Sequence, residues 1–175
     1  MKNPVTVLTT MVSVEIMLYT MCLCAPQWLV QPEGTNTGLF AFCNTFQGFS
    51  SCTTYPAWTG TYSLSWMFLS CSCVLALAAL IAIRPAMTRG KRAIFALVLN
   101  ILSVGFCVSC IIAFMLFIQL QNPQLFKYLG WSFYICCATL LYASLVSVTL
   151  GLVEGSSLID PTIDANYNGQ PVLAT

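Results

Sequence analysis

Four long apolar runs decide what this chain can become. They fall at roughly residues 5–25, 63–83, 93–118 and 131–153, and each is long enough to cross a hydrocarbon core, which takes about 20 helical residues. Lipid offers no water to stray backbone groups, so runs of this length read as helices that satisfy their own N–H and C=O groups. Turn-formers separate them. Pro26 and Pro32 follow the first run, Arg84-Pro85 ends the second, and Asn122-Pro123 follows the third. Only 6% of the residues are charged and 58% are hydrophobic, whereas a soluble domain carries about 25% charged residues. The expected fold class is an all-α membrane protein, a single bundle of four transmembrane helices whose first partner is the lipid bilayer.

Charge excludes several functions and sets an orientation. A net charge of +1 gives no basic field for nucleic acid. Histidine is absent, which removes the commonest general base and the commonest metal ligand. No catalytic residue, cofactor or metal is therefore expected. Four of the six basic residues, Arg84, Arg89, Lys91 and Arg92, sit in the 84–92 connection, and Lys2 precedes the first run. The positive-inside rule places both segments in the cytoplasm, so both termini lie inside. The 26–62 and 119–130 loops then lie outside, with Lys127 the one basic exception. A cleaved signal peptide is the rival reading of the first run, but the run is about twice a signal core and Pro26 would follow the cut.

The first outer loop holds Cys43 and Cys52, the only two of ten cysteines that stand clear of an apolar run. Outside the cell a disulfide forms and persists, and one closing this short loop contributes roughly 2–3 kcal/mol in the chain-entropy model. The flanking segments "TGLFAFCNTF" and "SSCTTYPAW" are rich in Thr, Phe and Tyr, while "QGFSS" between them is turn-like. A small antiparallel sheet stapled by the disulfide is expected.

These residues carry a resemblance. Trp28, then Gly38-Leu39-Phe40, then Cys43 and Cys52 resemble the W…GLW…C…C signature of the claudin superfamily. That group includes the claudins, peripheral myelin protein, the epithelial membrane proteins, the lens intrinsic membrane protein and calcium-channel gamma-like subunits. "GWSFYICC", Gly130 to Cys137, is similar to the start of the fourth helix in that family. The resemblance covers the chain except its tail and implies a left-handed four-helix bundle under an extracellular antiparallel sheet. It also implies that Trp28, Leu39 and Phe40 pack at the junction of sheet and bundle. An ordinary interfacial anchor is the plainer reading of Trp28.

The chain departs from the family pattern in places. Phe40 stands where claudins have tryptophan, and Trp28 and Gly38 are closer together, so a smaller sheet is expected. The first outer loop has one charge, Glu33, thin material for an ion-selective pore, and neither outer loop has an N-x-[ST] acceptor. "PVLAT" at the end lacks the hydrophobic last residue of a claudin-type scaffold-binding motif. The pattern looks nearer the short myelin and lens-type members.

Inside lipid, helices approach through small residues. Gly105, Ser109 and Ala113 recur at four-residue spacing in the third run, as do Thr139, Ala143, Ser147 and Gly151 in the fourth. Ser70, Ala78 and Ala82 share a face of the second. Each stripe serves either bundle packing or an outside partner. In the first run Thr6, Thr9, Thr10, Ser13 and Thr20 share one face, and Glu15 and Tyr19 the opposite one. A mid-membrane carboxylate costs on the order of 3 kcal/mol on insertion scales and usually points into protein. One of these two faces therefore looks outward, either into lipid with its threonines bonded back to their own helix or toward a partner. At a rise of about 1.5 Å per residue, Tyr142 lies level with Glu15 and is the expected hydrogen-bond partner, with Asn100 the second choice.

The other cysteines read as core hydrophobes. Cys107 and Cys110 form a C-x-x-C with no histidine to complete a metal site, and Cys22, Cys24, Cys136 and Cys137 lie toward the outer side, away from palmitoylation. Residues 154–175 read as a disordered cytoplasmic tail, with Ser156 and Ser157 as phosphorylation candidates. The expected function is that of a non-enzymatic plasma-membrane protein that organises membranes or cell contacts at junctions. An auxiliary subunit of a channel or receptor is the alternative, and a transporter or enzyme the least supported reading. The partner is then a second copy or a larger membrane protein.

Overall fold

The structure is a computed structural model that describes residues 4–25, 27–31, 34–39, 41–46, 49–54, 61–88 and 94–159. Four helices dominate: α1 (Pro4–Cys24), α2 (Thr61–Thr88), α3 (Ile94–Gln121) and α4 (Trp131–Ile159). All four are long and apolar enough to cross a membrane, as in a multi-pass membrane protein. α1 packs against α2 and α4, and α3 against the same two, which closes the four into a bundle.

Buried positions follow one rule on each helix. α1 buries Leu8, Val12, Glu15, Tyr19 and Cys22, and α3 buries Ala96, Asn100, Ser103, Cys107, Cys110, Phe114 and Ile118. α2 buries Ser65, Leu69, Ser72, Ala76, Ala79 and Ile83. Steps of three and four alternate, the seam that lets side chains of one helix enter the grooves of its neighbour. Two apolar clusters fill the bundle. Trp28, Leu69, Phe114 and Phe133 belong to the larger one at the sheet end, and Leu8, Val12, Ile83 and Val146 to the smaller one at the other end.

The sheet is a four-stranded antiparallel meander: β1 (Leu29–Val30), β2 (Thr35–Thr37), β3 (Ala41–Phe46) and β4 (Phe49–Thr54). Between β1 and β2 the chain turns at Gly34, whose φ of 79° favours a residue without Cβ. The register sets Cys43 opposite Cys52 and Phe46 opposite Phe49. Leu29 of β1 also bridges Leu129, next to a 3₁₀ helix at Pro123–Tyr128. The connection between α3 and α4 thus borders the sheet formed by the connection between α1 and α2.

Several sequence expectations need correction. The expected turn "QGFSS" is shorter, because Phe49 and Ser50 already pair in β4. "TGLFAFCNTF" is not one strand: Thr37 closes β2 and Ala41 opens β3. The two short strands before it were not anticipated at all. α2 passes through Arg84-Pro85 to Thr88, since proline removes one hydrogen bond but does not oblige the last turn to unwind. α4 continues to Ile159, so residues 154–159 of the expected tail are helical. An apolar run ends where lipid ends, whereas helical hydrogen bonding can continue beyond it.

Candidate functional site

The junction of sheet and bundle is built around Trp28. Its indole is fully buried, and its N–H donates to the carbonyl of Cys22 at 2.8 Å, one of the carbonyls that the end of α1 leaves without a helical partner. Phe114 of α3 meets the ring edge-on at 4.8 Å between centroids, and Phe133 of α4 at 6.1 Å. The backbone of Trp28 is held on both sides. Its N–H donates to Thr37 of β2 at 2.9 Å, and its carbonyl accepts from Gly130 at 2.8 Å. One residue therefore joins α1, α3, α4 and the sheet.

Its neighbours complete the clamp. Gly130 leaves no room for a side chain, because a Cβ there would stand 1.9 Å from the carbonyl oxygen of Gln27. That carbonyl accepts from the N–H of Ser132 at 3.3 Å, and the Trp131 indole N–H donates to the Gln27 side chain. Of the expected junction set, Leu39 is buried in the same cluster as Trp28 and Gly38 is buried. Phe40 lies outside the described residues. Cys43 and Cys52 form the disulfide across β3 and β4; Cys43 is buried and Cys52 exposed.

A polar band crosses the bundle between its two apolar clusters. Glu15 is fully buried, and its Oε2 accepts from Asn100 Nδ2 at 2.9 Å. The Oδ1 of the same amide accepts from Ser147 at 2.6 Å. Ser103 donates to the carbonyl of Ser72 at 2.9 Å and stands 3.3 Å from the Tyr19 hydroxyl. The expected bond from Tyr142 to Glu15 is absent: Tyr142 donates instead to the carbonyl of Met11 at 3.1 Å. Depth alone could not separate the two choices, because rotation about the helix axis puts Asn100 on the inner seam and leaves Tyr142 only half-buried.

Since Glu15 points inward, the threonine face looks outward. Thr6, Thr10 and Thr20 are exposed and Ser13 is half-buried. Thr10, Ser13 and Thr20 each donate to the carbonyl four residues back, at 2.8, 2.7 and 2.8 Å, so their hydroxyls are satisfied within α1. The small-residue stripes divide. On α4, Thr139 and Ala143 are buried, while Ser147 and Gly151 are half-buried. On α3, Gly105 is exposed and Ser109 and Ala113 are half-buried, with nothing within 4 Å of a Cβ built at Gly105. That stripe lies beside the buried seam of α3 and outside its core, because its four-residue spacing drifts off the three-and-four alternation.

Sequence reasoning missed one grouping. Cys22, Cys107, Cys110 and Cys136 are all fully buried, and the Cys136 thiol faces the other three. Cys22 also lies 3.8 Å from the Thr139 hydroxyl. Only the fold brings thiols from three helices together. Among the described residues no three acidic, thiol or imidazole side chains are arranged to hold a metal ion. No protein-family model matches the chain, and no curated protein matches it in sequence.

Proposed function

We propose that this chain is a non-enzymatic plasma-membrane protein of the claudin-like kind, with both termini in the cytoplasm. It organises membranes or cell contacts through lateral helix packing and a disulfide-stapled extracellular sheet. The observation that carries the reading is the clamp at Trp28, which holds the sheet to the bundle through three hydrogen bonds and two aromatic contacts. A sheet fixed in this way presents a stiff surface beyond the membrane, and stiffness lowers the ordering cost of contact. The alternation of three and four in the buried seam supports a left-handed bundle.

An auxiliary subunit of a channel or receptor is the second reading. It is favoured by the α3 stripe of Gly105, Ser109 and Ala113, which the bundle leaves exposed at Gly105 and only half-buried at the other two and which suits close helix approach. Extraction of the native protein in mild detergent, followed by identification of what co-purifies in stoichiometric amount, separates the two. Recovery of the chain with only further copies of itself supports the membrane-organising reading. Stoichiometric recovery of a larger channel or receptor overturns it in favour of the auxiliary one.

A further inference from the structure

We propose that Glu15 is the binding site of one exchangeable monovalent hard cation, a proton or a sodium ion, held inside the bundle beside Asn100, Tyr19 and Ser103. The argument begins with an orphan atom. Glu15 is fully buried, its Oε2 has the Asn100 amide at 2.9 Å, and its Oε1 has no hydrogen bond. Buried polar atoms in native proteins are nearly always partnered. An ionised carboxylate with only neutral groups beside it, the Asn100 amide and the Tyr19 hydroxyl, is far from compensated, because removing such a charge from water costs several kcal/mol even after relaxation.

Among the described side chains no cation is at hand to balance it. Lys127 is the one basic side chain described, and it is exposed on the 3₁₀ helix at the sheet end. The titratable groups that face the carboxyl are Tyr19 on α1, Tyr142 on α4 and Cys107 of α3 behind Tyr19. α2 contributes only the Ser72 carbonyl, through Ser103. None of these supplies a positive charge. Among the described residues the compensating charge is left to a small ion that fits among side chains.

The donor set indicates which ion. Beside the carboxyl stand the Tyr19 hydroxyl and the Asn100 amide, with the Ser103 hydroxyl 3.3 Å beyond Tyr19, and carboxylate and hydroxyl oxygens suit hard cations. A single carboxylate matches a single positive charge. Loss of a proton from the carboxyl to solvent leaves one negative charge, and an entering sodium ion cancels it, so the interior stays neutral in either loaded state. The empty state alone carries an unbalanced charge, in the band where α1 meets α3 and α4. Loading therefore binds the folded bundle in preference to the unfolded chain and stabilises it by linkage.

The test uses the full chain in lipid nanodiscs, with dicyclohexylcarbodiimide as the probe. This apolar reagent modifies protonated carboxyls, and peptide mass mapping locates the adduct. Adduct at Glu15 is expected to fall about tenfold per pH unit once the site empties of its proton, as for any single titrating site. Suppression at fixed pH by sodium, but not by N-methylglucamine, identifies sodium as a ligand. Absence of that suppression assigns the site to the proton alone. The thermal unfolding midpoint is read in the same media, where it should rise with acid or sodium in the wild type and stay constant in Glu15→Gln. If Glu15→Gln does not fold, the wild-type readings decide. Labelling that is equal in all media, or no labelling together with an unmoved wild-type midpoint, overturns the proposal.

Discussion

Trp28 shows what one side chain can hold in place. Trp28→Phe keeps most of the aromatic packing and loses the bond to the Cys22 carbonyl, at about 1 kcal/mol, whereas Trp28→Ala empties the junction at about 3–5 kcal/mol. Equilibrium unfolding in detergent should therefore rank wild type, phenylalanine and alanine in that order, with the larger step last. Gly130→Ala is expected to be worse than its size suggests, because the new Cβ would meet backbone at Gln27 and not a side chain that can swing away. Its readout is faster protease cleavage in the residue 26–62 loop with the helices still intact. Asn100→Leu strips the amide donor from Glu15 and leaves the Tyr19 hydroxyl beside it. Interhelical hydrogen bonds in membranes average about 0.6 kcal/mol, so a loss clearly above that in the same unfolding assay would show that the carboxyl, once without the amide, adds its own penalty. The sequence announced Trp28 through its neighbours Gly38-Leu39 and the two cysteines. Gly130 was marked only as the first residue of "GWSFYICC", and its steric constraint was not legible there, because it comes from the carbonyl of Gln27, far away in sequence.

Helices in this chain were easy to count and hard to orient. Apolar residues cover every face, since lipid and protein interior are equally apolar, so hydrophobic periodicity does not mark the inside. Polar residues mark it instead. Glu15, Ser65, Ser72, Asn100, Ser103 and Thr139 are all fully buried, while Phe95, Ile81 and Leu152 are exposed. The reading of Glu15 as inward succeeded on this logic. The reading of small residues could not separate the α3 stripe from the α4 stripe, because spacing alone does not fix rotation about the axis. Paired substitutions test the outcome. Gly105→Leu meets open space and should alter stability by no more than about 0.5 kcal/mol, whereas Ala143→Leu overpacks the bundle at about 1–3 kcal/mol. Comparable losses for both would place Gly105 against something the bundle itself provides.

For the molecule as a whole, two bodies meet at one joint. Removing the disulfide with Cys43→Ser loosens the sheet by roughly 2–3 kcal/mol in the chain-entropy model but leaves Trp28 and its contacts in place. Hydrogen exchange should then accelerate in β3 and β4 and hardly change in α1–α4; uniform acceleration would mean that staple and bundle are one cooperative unit. The disulfide, the hairpin around it and the four spans were legible because each rests on local chemistry. β1, β2 and the bridge from Leu29 to Leu129 were not, since strands of two and three residues are specified by what they pair with. The joint also has a consequence for synthesis. Trp28 leaves the ribosome early, yet Gly130 and Phe133, which hold it, belong to the last span. A nascent chain halted after its third span would carry the cysteines of the first loop but no finished place to rest that loop. Oxidation of the hairpin can therefore precede its docking, which is complete only once the fourth helix is in place.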